Sequence, residues 1–260
     1  MGTSENLRTE VDGTIGWLTV DRPESRGAMT RAMWEAMPAK LAELAGAAGV
    51  RLIVVRGSAG GFIAGADITE FEKYRSNPEL ARKYDEGSTA TLEALATLSV
   101  PSLAMIDGAC VGGGSLIAFG CDLRVASDRA FLAIPAGRLG LAYPPHGLER
   151  LVAVVGEAVA LDLLLTGRRI PAPEALSLGM IHRCFPAASL EADTRALAAE
   201  VARMAPLALR YARLAVRRRL ESRLSAQEVA GLVADCFASR DYQEGVTAFL
   251  EKRDPVFRGR

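Results

Sequence analysis

Two stretches of the chain carry the residues best suited to chemistry: Gly60-Gly61-Phe62-Ile63-Ala64-Gly65-Ala66-Asp67-Ile68 and Gly108-Ala109-Cys110-Val111-Gly112-Gly113-Gly114. Both are rich in glycine, so both can leave backbone N–H groups unpaired and uncovered. Each follows an apolar run of strand character, Leu52-Ile53-Val54-Val55 or Leu103-Ala104-Met105-Ile106, and each leads into a segment of helical character. Two amides from separate turns, aimed at one point, can hold an oxyanion, because fixed dipoles stabilise a developing negative charge without reorganising. One glycine-rich turn would mark only a bend in the chain. Two in this context point to a site.

The elements that must position these turns follow from the apolar pattern. Residues 7–11 and 14–20 read as strands around Asp12-Gly13, a strong hairpin signal. Residues 30–45 have helical apolar spacing, with Thr30 able to cap the start. Strands recur near 51–56, 102–107 and 122–127 with helices between them, which predicts an α/β arrangement. After Pro186 the chain turns to helices rich in Ala, Leu and Arg, near 189–204, 206–221, 225–239 and 241–252. The expected division is therefore a core over 1–186 and a helical region over 187–260. The arginines at 210, 213, 217, 218 and 219 are expected on one solvated or subunit-facing helix face. RNA binding is disfavoured because the whole chain has a formal net charge of zero.

Length and composition exclude several classes of function. A chain of 260 residues, half of them apolar, can bury a sizeable core and is not a disordered tail. Its balanced charge gives no support to a nucleic-acid or membrane-surface role. Cys110, Cys121, Cys184 and Cys236 are scattered, with no Cys-x-x-Cys pair, so no metal site is expected. The polar start Met1-Gly2-Thr3-Ser4-Glu5-Asn6 does not read as a secretory signal. No apolar run reaches the ~18 residues of a membrane helix, so a cytoplasmic location is expected. Nucleotide-phosphate loops and a Gly-x-Ser-x-Gly elbow are both missing.

Ala64-Gly65-Ala66-Asp67-Ile68 followed by Val111-Gly112-Gly113-Gly114 resembles the crotonase superfamily, also called the enoyl-CoA hydratase/isomerase family. The resemblance continues through Gly120-Cys121-Asp122-Leu123-Arg124-Val125-Ala126, Leu165-Thr166-Gly167-Arg168 and the run from Ala172 to Ile181, and ends at Phe249-Leu250-Glu251-Lys252-Arg253. It implies a spiral of ββα units with a C-terminal helical region that builds trimers or dimers of trimers. It also implies an acyl-CoA thioester ligand whose carbonyl oxygen sits between Ala66 N–H and Gly113 N–H. The coenzyme itself is then expected along Arg26, Ala28, Ala64, Ala66, Asp67 and Ile68, with Lys252 and Phe257 reaching it from the tail. Asp67 is also placed to cap the helix that starts at Ile68, and capping is the preferred role.

The resemblance also shows a departure. Hydratases of the family use two glutamates, one to activate water and one to protonate the alpha carbon. Those positions correspond here to Leu116 and Ala136, and neither can transfer a proton. The segment from Leu139 to Arg150 matches the family loop over the reacting carbons and offers Tyr143, His146 and Glu149. Histidine titrates near neutrality, so His146 can act as acid or base; the alternative is a packing or surface residue. Tyr143 matches an orienting tyrosine of family decarboxylases acting on methylmalonyl-CoA, which carry His where this chain has Ala66. Glu149 is expected near a helix start, and His182 in a structural place. The implied function is isomerisation or another enolate reaction. An acyl-CoA binder without catalysis and a methylmalonyl-CoA-type decarboxylase are the alternatives. The coenzyme A moiety is the only cofactor expected.

Overall fold

A computed structural model describes residues 6–74, 78–221 and 226–260. The chain opens with a hairpin in which β1 (Leu7–Asp12) and β2 (Ile15–Val20) pair antiparallel across a turn where Gly13 has φ +59°. Helix α1 (Arg31–Gly46) follows, and the Thr30 hydroxyl caps it by accepting from Met33 N–H at 3.3 Å. β3 (Leu52–Gly57) then lies parallel to β2. Next come the short α2 (Phe71–Tyr74), α3 (Pro78–Thr97), β4 (Ser102–Ile106), β5 (Ala109–Val111) and α4 (Gly113–Gly120). The pattern repeats through β6 (Leu123–Ser127), β7 (Phe131–Ala133) and α5 (Pro145–Thr166), which kinks at Gly156. β8 (Ile170–Pro171), α6 (Ala172–Ser177) and β9 (Arg183–Phe185) precede four helices: α7 (Leu190–Ala202), α8 (Pro206–Glu221), α9 (Ala226–Ala238) and α10 (Arg240–Glu251).

Two sheets organise these elements. The larger has the order β1-β2-β3-β4-β6-β9 and is parallel from β2 onward; the smaller has the order β5-β7-β8. Each turn of the chain gives one strand to the large sheet, one short strand to the small sheet, and then a helix. β4, β5 and α4 make one such unit, and β6, β7 and α5 make the next. A bridge from Ile63 to Cys110 gives the segment after β3 the same place beside the small sheet. The expected α/β spiral of ββα units is therefore the observed fold.

Parallel strands need both faces covered, and their sequences show it. β4 is buried at every position. One face of the large sheet packs Leu18, Ile53, Val55 and Ala104 into the main core with α1, α3, α4 and α5. The other face carries Trp17, Leu52, Val54 and Leu103, and is closed by Leu190 and Ala198 of α7. Helix α7 thus completes the core of the sheet. No helix among the described residues is long and apolar enough to cross a membrane.

The arginine run of α8 departs from its expected solvated or subunit-facing place. Arg210 is exposed, but Arg213 and Arg217 turn inward to Asp122, at 2.6 and 3.0 Å. The reason is a buried carboxylate that needs compensation, met by two guanidinium groups one helical turn apart on one face. Asp122 also accepts the Ser102 N–H and hydroxyl, at 2.8 and 3.0 Å. The side chains of Arg218 and Arg219 lie outside the described residues.

Burial opposes the charge on Asp122, yet Arg213, Arg217 and the Ser102 amide together hold its carboxyl below the ordinary range. A depressed folded-state value contributes stability that is complete above the ordinary carboxylate range and is lost as pH falls through the folded value. Asp122→Ala leaves two guanidinium groups without their anion and is expected to cost about 3–5 kcal/mol. Urea unfolding at neutral pH measures this. The difference from the unsubstituted protein should shrink in acid, and an equal difference at every pH would contradict the assignment.

Candidate active site

The segment 63–68 is fixed against the segment 22–29 by hydrogen bonds at every second residue. Met29 N–H donates to Gly65 O at 2.8 Å, and Asp67 N–H donates to Met29 O at 2.8 Å. In extended backbone, alternate amides point to opposite sides, so the intervening Ala66 N–H faces away from Met29. Gly65 makes this turn possible with φ +114°, a conformation that side chains oppose. Arg22 pins both segments, donating to Ala28 O at 2.7 Å and to the Asp67 carboxylate at 2.9 Å. Asp67 in turn accepts Thr69 N–H at 3.1 Å, the capping arrangement expected of it. Burial opposes its charge, but Thr69 and Arg22 hold its carboxyl below the usual range.

The second turn reaches the same place from the other side. Gly112 N–H donates to Ala133 O at 2.9 Å, and α4 begins at Gly113, whose N–H has no carbonyl within the helix to accept it. Val111 N–H donates to Ile63 O at 3.0 Å and holds the two turns together. A side chain on Gly113 would begin 3.5 Å from Ala66 N, and one on Gly65 would begin 3.9 Å from Gly113 N. The two nitrogens therefore border one small space. Among the described residues, neither amide donates a hydrogen bond. The positive end of α4 faces the same space.

Both amides open on a mostly apolar cavity of about 760 Å³, counting its open mouth. Trp34, Phe71, Leu116, Ala136 and Leu141 give it hydrocarbon walls. Trp34 is buried, and its ring lies 2.8 Å from where a side chain on Gly113 would begin. Tyr143 borders the cavity and donates its hydroxyl to Gly112 O at 3.3 Å. Burial raises its phenol above the ordinary range. Cys110 and Cys121 lie buried beneath, and burial pushes both thiols up to about 12, so neither is a nucleophile at neutral pH.

His146 sits in the first turn of α5, half-buried, and is not among the residues that line the cavity, whereas Tyr143 is. Gly147 beside it has the closer role. A side chain there would meet the Tyr143 ring at 2.8 Å and Leu116 at 3.0 Å, so its bareness lets α5 pack on both. Glu149 is exposed and lies beyond the first helical turn. His182 accepts the Arg124 N–H on Nδ1 at 3.1 Å, a structural place as expected. Burial, with Arg124 and Arg183 nearby, lowers its pKa.

A second groove adjoins the cavity through Ala64, Val111 and Pro135, and gathers Arg26, Arg138 and Arg169. Arg26 has φ +53° and its carbonyl accepts Ala64 N–H at 3.1 Å. Ala28 has both backbone groups engaged, donating to Ser25 O and accepting from Arg22. Ile68 is exposed at the cavity rim. Lys252 is exposed just after α10, and Phe257 packs at Gly245 while its carbonyl accepts from Arg51 at 2.5 Å; neither borders the cavity or the groove.

Sequence reasoning missed Trp34, Arg138 and Arg169, and also the cavity face of α3, formed by Tyr84, Asp85 and Ser88. For α3 the signal was present as helical spacing of 84 with 88 and 85 with 88. For the arginines there was none, since 26, 138 and 169 meet only through the fold.

Comparison with known proteins gives the family and the fold. The family profile for enoyl-CoA hydratase/isomerase matches residues 10–260. A probable enoyl-CoA hydratase of Mycobacterium bovis is 35% identical over 257 residues, covering 98% of each chain. The 2,3-dehydroadipyl-CoA hydratase of Escherichia coli is 32% identical over 248 residues, covering 94% of each. Among solved structures, an enoyl-CoA hydratase/isomerase family protein of Hyphomonas neptunium superposes with a TM-score of 0.92 at 35% identity, covering 98% of both chains. An enoyl-CoA hydratase/carnitine racemase of Magnetospirillum magneticum gives 0.93 at 28% identity, covering 98% of this chain and 96% of that one. The chain belongs to the enoyl-CoA hydratase/isomerase family, the crotonase superfamily.

Proposed function

We propose that this protein binds acyl-CoA thioesters and stabilises the thioester enolate between Ala66 N–H and Gly113 N–H. The observation that carries this reading is the convergence of two unspent amides, from separate turns, on one apolar cavity. Removing a proton, or a carboxylate as carbon dioxide, beside the carbonyl leaves an electron pair that delocalises onto the thioester oxygen. Preset N–H dipoles at the start of α4 lower the energy of that anion more than they lower the neutral ester. Arg26, Arg138 and Arg169 suit the coenzyme's phosphates, since guanidinium groups bind them through charge-assisted hydrogen bonds. This chemistry needs no cofactor beyond the coenzyme A moiety of the substrate.

The reaction is read from what the cavity walls cannot do. Leu116 and Ala136 border the cavity at the two positions where the resemblance implies the hydratase glutamates. Hydrocarbon there can neither activate water nor protonate carbon, so two-glutamate hydration is disfavoured. Isomerisation or another enolate reaction is read in its place, with the proton carried by a group other than these two. Tyr143 acts as an orienting hydroxyl, because a phenol with a raised pKa is a poor base. His146, off the lining, is given no step. A methylmalonyl-CoA-type decarboxylase gains support from Tyr143 at the cavity and loses it at Ala66. A second reading, an acyl-CoA binder without turnover, is favoured by the same two hydrocarbon positions. The relatives named as hydratases weigh toward turnover.

The C-terminal helices expose Val216, Phe237, Tyr242 and Val246, an apolar surface that suits a homotrimer or a dimer of trimers. In such an assembly Lys252 and Phe257 would reach a neighbour's coenzyme. A cytoplasmic location suits a protein with coenzyme A ligands.

Incubation with a panel of enoyl-, dienoyl- and malonyl-type CoA esters, with products followed by mass, separates enzyme from binder. Turnover of one ester class is expected, and tight binding without turnover of any would establish the binder. Gly113→Pro removes one of the two amides and is expected to lower turnover about a hundredfold or more. Gly113→Ala, whose Cβ meets the Trp34 ring equally but keeps the N–H, is the steric control and should lose less. Circular dichroism checks the fold, and undiminished activity in a folded Gly113→Pro variant would sink the amide assignment.

Crotonyl-CoA hydration supplies an independent check. The unsubstituted protein should hydrate it very slowly, and the double variant Leu116→Glu, Ala136→Glu should do so faster, since general acid–base groups contribute about a hundredfold to ten-thousandfold. Rapid hydration by the unsubstituted protein would mean that another pair performs proton transfer.

A further inference from the structure

The two ends of the peptide between Gly112 and Gly113 meet different partners. Its N–H, on Gly113, is one of the two amides that open on the cavity. Its carbonyl, on Gly112, accepts two hydrogen bonds, from Leu116 N–H at 3.0 Å within α4 and from the Tyr143 hydroxyl at 3.3 Å. The peptide is trans, so C=O and N–H point opposite ways in one plane, and whatever holds the carbonyl also aims the amide. Gly112 does little by itself to fix that plane. It has φ +52° and ψ −106°, a conformation that side chains oppose, and a Cβ there would meet nothing within 4 Å.

Tyr143 is well placed to supply the constraint. Its ring packs on bare Gly147, where a side chain would stand 2.8 Å from it, so α5 backs the ring directly. A phenol has a single O–H, and giving it to Gly112 O leaves only lone pairs for the cavity. Burial keeps that phenol protonated well above neutral pH, so the donor persists. A donor on a carbonyl draws electron density toward oxygen and leaves the N–H of the same peptide more positive, strengthening the next bond by about 10–30%. The coupling is mutual. When an anion accepts the Gly113 N–H, the Gly112 carbonyl becomes a better acceptor for Tyr143, so the effect grows with charge on the ligand oxygen and favours an enolate over a neutral ester.

We propose that Tyr143 is a positioning residue that acts through the Gly112–Gly113 peptide, its hydroxyl aiming and polarising the Gly113 N–H. This rests on the reading that the thioester oxygen lies between Ala66 N–H and Gly113 N–H. It gives Tyr143 no contact with the reacting carbons, so its contribution is the same for every acyl group.

The test is infrared difference spectroscopy of butyryl-CoA isotope-labelled at its thioester carbonyl, because a stronger donor lowers the carbonyl stretch. The unsubstituted protein is expected to lower that stretch relative to the free ester. Tyr143→Phe, which keeps the ring, should lower it less, and Tyr143→fluorotyrosine, with a more acidic phenol, should lower it more. A purely structural role for the ring would not give opposite shifts. In Tyr143→Phe, turnover of every reacting ester should fall about two- to eightfold, the stated fraction of the logarithm of one donor's hundredfold to thousandfold contribution. Affinity for butyryl-CoA should be nearly unchanged.

The same bound frequency in all three proteins would overturn the proposal while leaving the thioester reading intact. A loss of turnover confined to malonyl-type esters would also overturn it, by making Tyr143 a donor to the substrate's own carboxylate. If butyryl-CoA fails to bind, or binds to the unsubstituted protein with its stretch unmoved, the thioester reading itself fails and the proposal with it. If Tyr143→Phe does not fold, as judged by its melting curve, the fluorotyrosine comparison decides the matter.

Discussion

The site depends on how closely residues 63–66 and 111–114 approach one another, and that approach is a matter of missing side chains. Val111 N–H reaches Ile63 O at 3.0 Å, and any Cβ on Gly114 would overlap the Ile63 carbonyl. A Cβ on Gly65 would stand 3.2 Å from Val111 O, and one on Gly113 would stand 2.8 Å from the Trp34 ring. Protein interiors have little room to absorb such contacts, so these three positions are held to glycine by sterics before any chemistry is considered. The amides at 66 and 113 are consequently properties of the backbone, set when the two turns dock.

Helix α4 is secured at its other end to the same purpose. Its last carbonyls are gripped by guanidinium groups: Arg150 bonds Phe119 O at 2.6 Å, Arg217 bonds Gly120 O at 2.6 Å, and Arg124 bonds Cys121 O at 2.9 Å. Cations at a helix C-terminus complement the macrodipole whose positive end points into the cavity. Burial lowers the pKa of Arg124 to about 10, which still leaves it charged at neutral pH. Asp122, the second residue after this helix, binds two of the α8 arginines, so α8 is anchored at the C-terminal end of α4.

The turns were legible in the sequence because glycine in a strand–turn–helix context has few physical explanations. The hairpin at Asp12-Gly13, the Thr30 cap and the Asp67 cap were legible for the same local reason. What could not be read was anything that depends on which helix face meets which neighbour. Arg213 and Arg217 belong to a run that looks solvated, and only the burial of Asp122 turns them inward. His146, between two turn-forming residues, reads as a loop residue, yet Pro145 opens α5 instead, and proline at a helix start is favourable because its missing N–H would be unpaired anyway. Helical spacing sets residues 84 and 85 on one face of α3 with 88, but that this face borders the cavity is decided only by packing.

This division between backbone and side chains bears on why family membership leaves the reaction open. In the proposed function the amide pair would act on any thioester anion, whichever bond was broken to form it. Its strength depends on what else borders the cavity, since dipoles act more strongly where water and competing charges are kept away. Carboxylates at 116 and 136 would supply proton transfer but also place negative charge beside a developing anion. With Leu116 and Ala136 there, the proposed site would have neither the proton transfer nor the repulsion, and the one carboxylate among the described lining residues belongs to α3. Under the proposed function the amides would face the anion with hydrocarbon at their sides, an arrangement that would suit holding an enolate and would not suit adding water to it.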